Sequence, residues 1–179
     1  MTLIIAAQGK DYVVVGADTR EVIGTQGIRV EVNLATKLTE VSPHVAVMTA
    51  GAAGHCQYLV EKYKKDVRRR KDGATVIAED FAEFLKRQAK KDAKVPKHPD
   101  NFANFTYIVS GLDQAGTKFS DPMCYTLTSM DGFKVRMWKE GFVLEGHALH
   151  VANDKESFFI CNLEHFLAFP YSFRGEIEE

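Results

Sequence analysis

Apolar runs and amphipathic stripes follow one another along the chain in an order that predicts strands first, then two helices, then more strands and a last helix. Two apolar runs rich in β-branched residues, Thr2 to Gln8 and Tyr12 to Asp18, are separated by a polar Gly-Lys-Asp turn. Such a pair is typical of a β-hairpin, and the lack of polar alternation predicts burial on both faces. Another strand is predicted at His44 to Ala50.

The hydrophobic period changes after the small-residue stretch Gly51 to Gly54. Apolar side chains then recur at the spacing of an amphipathic helix, at Cys56, Leu59, Val60, Tyr63 and Val67. A second stripe of the same kind starts at Val76, and Thr75 is its predicted N-cap. Asp72-Gly73 lies between the two stripes, so we expect two separate helices.

The second half of the chain returns to strand patterns before a last helical stripe. Strands are predicted at Phe105 to Gly111 and Met123 to Leu127, with one or two more in Phe133 to Leu144. A third helical stripe covers Phe159 to Leu167. This order favours antiparallel sheets with helices on their outer faces, in one domain that spans residues 1–179.

Composition narrows the kind of protein without identifying its chemistry. The chain has 179 residues, 45% of them apolar and 26% charged, with a formal net charge of −1. This balance creates no global attraction to nucleic acid or to an anionic membrane, and the apolar runs are too short to cross a bilayer. No signal-peptide pattern opens the chain, and the three cysteines have no metal-ligand spacing. We therefore expect a cytoplasmic protein with reduced cysteines and neither nucleic-acid nor membrane partners.

Thr2 is the first candidate for chemistry, because removal of Met1 would make it the N-terminal residue. It would then carry a nucleophilic hydroxyl and a base on one residue, since an α-amine titrates near roughly 7.7 to 8. The amine could accept the hydroxyl proton directly or through one water. Many proteins begin with Met-Thr, so this signal alone also fits an ordinary start of a strand.

The neighbouring elements add groups that could assist Thr2. Asp18 ends the strand that pairs with the N-terminal one, and Arg20 could pair with Asp18. Lys37 precedes the next strand-like segment, where a buried cation would lower the pKa of a nearby amine. Gly51 joins a strand to a helix, so its N–H could donate to a developing oxyanion. Taken singly, Asp18 and Arg20 also fit a structural ion pair, and Lys37 also fits a surface lysine.

Thr2, Gly9–Arg20, Lys37-Leu38 and Met48–Gln57 together resemble the opening half of a proteasome β subunit and of its bacterial peptidase relatives. Ile108–Asp113 is similar to the start of that family's second half. The resemblance implies the α+β, four-layer αββα sandwich of the N-terminal-nucleophile (Ntn) hydrolases, here shortened at its C-terminus. It also implies peptide-bond hydrolysis through an acyl-enzyme, no metal or organic cofactor, and assembly into homo- or hetero-oligomeric rings that take peptides or unfolded proteins as substrates.

The resemblance also assigns roles to individual residues. Thr2 would be the nucleophile and base of a threonine peptidase. Asp18 and Lys37 would orient and polarise it, Arg20 would support Asp18, and Gly51 would donate to the oxyanion. The pocket for the residue before the scissile bond would be lined by Glu21, Ala35, Thr49 and Ala53.

Two departures from the family pattern leave other functions open. The family has a Gly-Ser-Gly whose serine contacts the threonine amine, whereas this chain has Gly146-His147-Ala148. The chain also ends about one helix later, without the closing segments of the family. One alternative is therefore a catalytically inactive ring subunit, in which a retained Met1 would block the amine. Another is an Ntn transpeptidase or ligase that passes the acyl group to an amine rather than to water.

Two further patterns have competing interpretations. His147 and His150 have a spacing that could ligate a metal, but no third ligand is evident, which favours a surface or packing role. The run Lys62 to Lys71 is strongly basic. It could bind nucleic acid, but the apolar stripe continues through it, which favours a solvated helix face or a protein contact.

Overall fold

In the structure, a computed structural model, strands come first, then two helices and then further strands, as the sequence predicted. It describes residues 3–19, 21–25, 28–32, 35–51, 53–67, 72–92, 105–115, 118–138 and 141–146. All of these belong to one unit, Met1–Gly146. The predicted third helix lies outside the described residues, and a single domain over residues 1–179 stays a prediction.

The described elements comprise ten strands, two α-helices and one turn of 3-10 helix. In chain order they are β1 (Leu3–Gln8), β2 (Val13–Ala17), β3 (Glu21–Thr25), β4 (Ile28–Val32), β5 (Leu38–Ser42), β6 (Val45–Ala50), α1 (Ala53–Val67), α2 (Ala74–Asp92), β7 (Thr106–Ala115), β8 (Lys118–Thr128), the 3-10 turn (Ser129–Asp131), β9 (Arg136–Trp138) and β10 (Gly141–Gly146). The predicted N-terminal hairpin is confirmed as β1 and β2. Strands β7 and β8 are longer than predicted, and the hairpin β3–β4 was not predicted.

The strands form three antiparallel sheets. A three-stranded sheet has the order β10-β1-β2, a five-stranded sheet has the order β5-β6-β7-β8-β9, and β3 pairs with β4. In the N-terminal hairpin Ile4 lies opposite Ala17 and Gln8 opposite Val13. The start of β1 therefore lies beside the end of β2, as the sequence predicted for the two ends of this hairpin.

Side-chain alternation along the five-stranded sheet divides the core into two parts. On β6, Val45 and Val47 belong to the cluster that packs under the helices, whereas Met48 and Ala50 belong to a cluster with Ile4 of β1. Successive strand residues point to opposite faces, so one strand contributes to both. The described residues thus form a helix layer, a five-stranded sheet and a three-stranded sheet. This agrees with the α+β class and is compatible with a sandwich.

The amphipathic stripe predicted for α1 is confirmed, because all five of its apolar residues are buried. In α2 the stripe runs through Ile77, Phe81 and Leu85, but Val76, where it was predicted to begin, is exposed. Rings of Tyr63 and Phe81 lie 4.8 Å apart between the helices. The helix pair is therefore held on the sheet mainly by aromatic and aliphatic packing.

A hydrogen-bonded cluster attaches the start of α2 to the five-stranded sheet. The Thr75 hydroxyl lies 2.6 Å from Asp113 Oδ2 and 2.5 Å from the hydroxyl of Tyr125. The backbone N–H of Thr75 also donates to Asp113 Oδ1 at 3.3 Å. Because α2 begins at Ala74, Thr75 is inside its first turn rather than its N-cap, and its side chain contacts strands β7 and β8 instead of its own helix.

Cys56 and Cys124 are free and buried, as predicted, while Cys161 lies outside the described residues. Burial raises the pKa of both thiols to about 11, although hydrogen bonding to Tyr107 and Ser110 offsets part of that rise. The reactive thiolate is therefore scarce near neutral pH.

We expect a Cys161→Ser variant to release almost no chromophore from an aromatic disulfide reagent at about pH 8 while native, because roughly one thiol in a thousand is ionised and both are covered. Reaction should speed up as the pH approaches 11, and both thiols should react at once in denaturant. Rapid labelling of the native variant at neutral pH would contradict the burial described above.

Candidate active site

Several elements end or begin at the same place in the fold, and each brings one of the predicted site residues. Asp18 directly follows β2, Lys37 directly precedes β5, and Gly51 directly follows β6. The pairing of Ile4 with Ala17 places the start of β1 next to the end of β2. Thr2, one residue before β1, lies outside the described residues, so its predicted role remains to be tested.

Asp18 and Lys37 form an ion pair at this place. The Nζ atom of Lys37 donates to Oδ1 of Asp18 at 2.9 Å. The lysine side chain is 1% exposed and the aspartate side chain 29% exposed. A buried ammonium needs a counter-charge because water no longer solvates it. Asp18 therefore holds the Lys37 ammonium in place beside the end of β2. The ammonium is covered, whereas the carboxylate is partly exposed to solvent.

Arg20 was predicted to pair with Asp18, being two residues away, but Arg20 lies outside the described residues, so this pairing stays a prediction. Among the described residues Asp18 pairs with Lys37, which is 19 residues away in sequence. Lys37 also proves to be buried, so the alternative of a surface lysine is wrong.

Backbone hydrogen bonds hold the segment that carries Lys37. The N–H of Ala35 donates to the carbonyl oxygen of Thr19 at 3.0 Å, which joins this segment to the chain after β2. The N–H of Thr49 donates to the carbonyl oxygen of Lys37 at 2.9 Å, which joins the same segment to β6. The lysine backbone is thus fixed on two sides, and its position follows from the ends of β2 and β6.

Gly51 adopts a backbone conformation that requires glycine. Its φ is +126°, a region that residues with a Cβ rarely adopt. The residue lies between the end of β6 and α1, which begins at Ala53. The first N–H groups of a helix have no partner within the helix, so this junction supplies donors for an anion. Donation from Gly51 to an oxyanion stays a prediction.

The predicted pocket residues are only partly brought together. Ala35 is partly buried next to the Lys37 segment, whereas Thr49 is buried on the same face of β6 as Val47, toward the helices. Among the described residues the Thr49 hydroxyl finds no hydrogen-bond partner. Glu21 begins β3 and Ala53 begins α1, but their side chains lie outside the description. Lining of a substrate pocket by these four residues therefore remains a prediction.

Two contacts near this place involve residues that the sequence did not single out. The Gln57 side chain of α1 donates to the Thr39 hydroxyl of β5 at 3.2 Å, which ties the helix to the strand that follows Lys37. The ring of His55 stacks on Phe105 with centroids 5.5 Å apart. Both pairs are far apart in sequence and belong to no motif, so no sequence signal could have found them.

Among the described residues, little supports the other interpretations of the sequence, a metal site and a basic run that binds nucleic acid. These contain no group of three or more His, Cys, Asp or Glu side chains that could hold a metal ion, and His147 and His150 lie outside them. Lys62, in the basic run, donates to Gln88 of α2 and lies over the Tyr58 ring. In the part of the chain that is described, no helix is both long and apolar enough to span a membrane.

Comparison with known proteins identifies the family. A search of curated proteins finds no match. The family model described as "Proteasome subunit" matches residues 2–96, just over half of the chain. The matched range includes Asp18, Lys37 and Gly51, the three residues that the structure brings to the same place. The chain therefore belongs to the proteasome subunit family.

Proposed function

We propose that this protein is a threonine peptidase of the proteasome type, which hydrolyses peptide bonds through an acyl-enzyme on Thr2 after Met1 is removed. The observation that carries the proposal is the buried Lys37 ammonium bound to Asp18 at the end of the N-terminal hairpin. A lysine with a 1% exposed side chain is rare in proteins unless it is paired, as Lys37 is here with Asp18. Family membership alone supports a proteasome-like subunit and does not distinguish an active one from an inactive one.

The proposed reaction needs only groups of this chain and one water. The Thr2 amine accepts the hydroxyl proton, and the oxygen attacks the substrate carbonyl carbon. The tetrahedral oxyanion receives a hydrogen bond from the Gly51 N–H. The amine returns the proton to the leaving nitrogen as the peptide bond breaks, which leaves an ester on Thr2. Water then attacks the ester by the same route, and the acid product and the free hydroxyl are formed.

Lys37 and Asp18 have complementary roles in this proposal. The ammonium stabilises negative charge that develops on the Thr2 oxygen, and it lowers the pKa of the neighbouring amine. Asp18 holds the ammonium in place, and Arg20 would support Asp18. The pocket proposed from Glu21, Ala35, Thr49 and Ala53 would receive the substrate side chain. No step uses a metal or an organic cofactor.

The family also implies assembly into oligomeric rings. We propose that the remaining features of the family hold as well: a four-layer αββα sandwich, a cytoplasmic location, and peptides or unfolded proteins as substrates. Nucleic acid and membranes are not among the proposed partners.

A second function, that of an inactive ring subunit, is favoured by one observation. Where the family has a serine that contacts the threonine amine, this chain has His147. An imidazole is larger than a hydroxymethyl group and would alter the contact to the amine. In this case the Lys37–Asp18 pair would serve stability alone, and the protein would contribute surfaces rather than chemistry.

The decisive experiment compares the wild type with Thr2→Ala and Thr2→Ser. We expect Thr2→Ala to lose all turnover of fluorogenic peptide amides, because the nucleophile is gone, while its assembly in native mass spectrometry is unchanged. Thr2→Ser should retain part of the activity.

Intact mass gives the control, since mature wild-type protein should lack Met1. Equal turnover by Thr2→Ala would contradict the proposal, and a retained Met1 with no turnover would support the inactive subunit. Addition of amine acceptors to the same assay would reveal a ligase by capture of the acyl group.

A further inference from the structure

Two buried hydroxyl groups lie side by side on the helix-facing side of the five-stranded sheet. Thr49 of β6 is directly opposite Tyr107 of β7 in the antiparallel register. The two residues are 2% and 0% exposed, and neither hydroxyl has a hydrogen-bond partner among the described residues. A buried hydroxyl that has lost its bonds to solvent is nearly always paired again inside the protein. Two unpaired hydroxyls on neighbouring strands therefore indicate a ligand that serves both.

The surrounding contacts hold both residues in place. The ring of Phe81 of α2 meets the Tyr107 ring edge to face, with centroids 5.2 Å apart, and the Phe133 ring lies 6.3 Å away. The backbone of Thr49 is fixed by its pairing with β7 and by its bond to the carbonyl oxygen of Lys37. Neither residue can therefore turn its hydroxyl to solvent without disturbing the core.

The thiol of Cys56, on α1, is a third polar group at this place. It contacts the Tyr107 hydroxyl and donates to the carbonyl oxygen of Ala50 at 3.9 Å. Sulfur is a weak acceptor, so this contact does not replace a full hydrogen bond for Tyr107. Burial raises the pKa of both Tyr107 and Cys56, so both are neutral near pH 7. Neutral groups that donate and accept suit a small neutral ligand rather than an ion.

We propose that one water molecule is bound here, between the hydroxyls of Thr49 and Tyr107 and beside the thiol of Cys56. Buried waters in proteins have two to four polar partners, which is what these groups supply. Opposed residues of an antiparallel pair have Cβ atoms about 4.5–5.5 Å apart, and one water spans two oxygens up to about 5 Å apart. Because a water both donates and accepts, it can bond to both hydroxyls at once.

The bound water connects three elements close to the candidate active site. It joins β6 to β7 through the two hydroxyls and lies against the first turns of α1 through Cys56. The N–H of Thr49 holds the carbonyl oxygen of Lys37, and Gly51 follows two residues later. The water therefore braces the end of β6, from which both of these site residues are positioned. It does not depend on Thr2 and is the same in an active and in an inactive subunit.

High-resolution crystal structures of the full chain and of two Thr49 variants test the site directly. In the wild type we expect a water peak about 2.6–3.2 Å from both hydroxyl oxygens. Thr49→Val keeps the shape of the side chain but loses the hydroxyl, so the peak should disappear. Thr49→Ser keeps the hydroxyl, and the peak should remain. A wild-type structure without this peak, or a peak that persists in Thr49→Val, would overturn the proposal.

Thermal melting tests the same site in solution. Thr49→Val and Tyr107→Phe should each lower Tm by at least about 3 °C, because each leaves the other hydroxyl without its bridge. The double variant should melt within about 2 °C of the less stable single variant, since the first loss already removes the water. Hydroxyls without a bound water would give the opposite result, with additive shifts or a higher Tm. Thr36→Val and Tyr12→Phe, at exposed positions, are the matched controls and should melt with the wild type.

Discussion

A Lys37→Met substitution is expected to lower kcat/KM for peptide-amide hydrolysis by about 10²–10³, the usual loss when one preorganised group that stabilises transition-state charge is removed. Methionine nearly fills the same volume but has no charge, so the proposed reaction would lose the cation that it assigns to Lys37. Progress curves with a fluorogenic peptide measure the effect. Turnover within threefold of wild type would show that the ammonium takes no part in the reaction.

The same substitution is also expected to lower the free energy of unfolding, and the partial exposure of Asp18 limits how large this loss can be. Removal of one partner from a buried ion pair costs roughly 3–5 kcal/mol when the other charge stays buried. The Asp18 side chain is 29% exposed and can be hydrated, so we expect a smaller loss of about 1–3 kcal/mol. Chemical denaturation of Lys37→Met measures this loss. The measurement is informative even for a subunit without peptidase activity.

Two control variants separate the charge at the site from charge elsewhere. Lys86 pairs with Glu83 on α2 at 2.8 Å, but the side chains are 40% and 65% exposed. Lys86→Met should leave both the stability and kcat/KM nearly unchanged, because water screens an exposed ion pair. Asp18→Asn combined with Lys37→Met should recover part of the lost stability, because the negative charge that Lys37 balanced is removed as well, but none of the activity.

A Gly111→Ala substitution is expected to destabilise the protein by about 3 kcal/mol, because a methyl group has no room at this position. A Cβ there would overlap the carbonyl oxygen of His44 and lie 2.8 Å from the Cα of Val45. Both are backbone atoms and cannot rotate away. The same carbonyl accepts a hydrogen bond from Leu112 at 2.9 Å, so a shift of the turn would break that bond as well.

Thermal melting provides the measurement for Gly111→Ala. For a chain of this size, about 3 kcal/mol corresponds to a fall of roughly 6–12 °C in Tm. Gly54→Ala is the matched control, because Gly54 lies in α1 and a Cβ there would meet no atom within 4 Å. Since alanine favours helix over glycine, this control should gain about 0.5–1 kcal/mol. A Gly111→Ala variant that melts with the wild type would contradict the close packing of the His44 turn.

Elements with a strong hydrophobic period could be predicted from the sequence. The stripe of α1 was predicted residue by residue because a helix repeats its buried positions every three or four residues. The hairpin β3–β4 was missed because residues 21–32 mix charged, apolar and glycine residues without a clear period. Its two strands pair with each other and with no other described strand.

The sequence was enough to predict which residues belong to the candidate site, but less of what those residues contact could be predicted. Asp18, Lys37 and Gly51 were found because each stands at the end or start of a predicted element. The burial of Lys37 could not be predicted, since lysines are mostly exposed and its partner comes from a different strand. Likewise Thr75 has the composition of an N-cap, but only the fold brings Asp113 and Tyr125 within reach of its hydroxyl.

The cluster of Thr75, Asp113 and Tyr125 has a fixed direction of proton donation. A carboxylate only accepts, so the single Thr75 proton goes to Asp113, and Tyr125 must donate its own proton to the threonine oxygen. Burial raises the pKa of Tyr125, the bond to Thr75 offsets part of that rise, and the nearby Asp113 charge adds to it. The neutral phenol therefore stabilises the fold below pH about 10, and this contribution is lost as the pH rises through the higher pKa of the folded state. Strong alkali would thus remove one of the three bonds that attach the first turn of α2 to the sheet, while the two bonds from Thr75 to Asp113 remain.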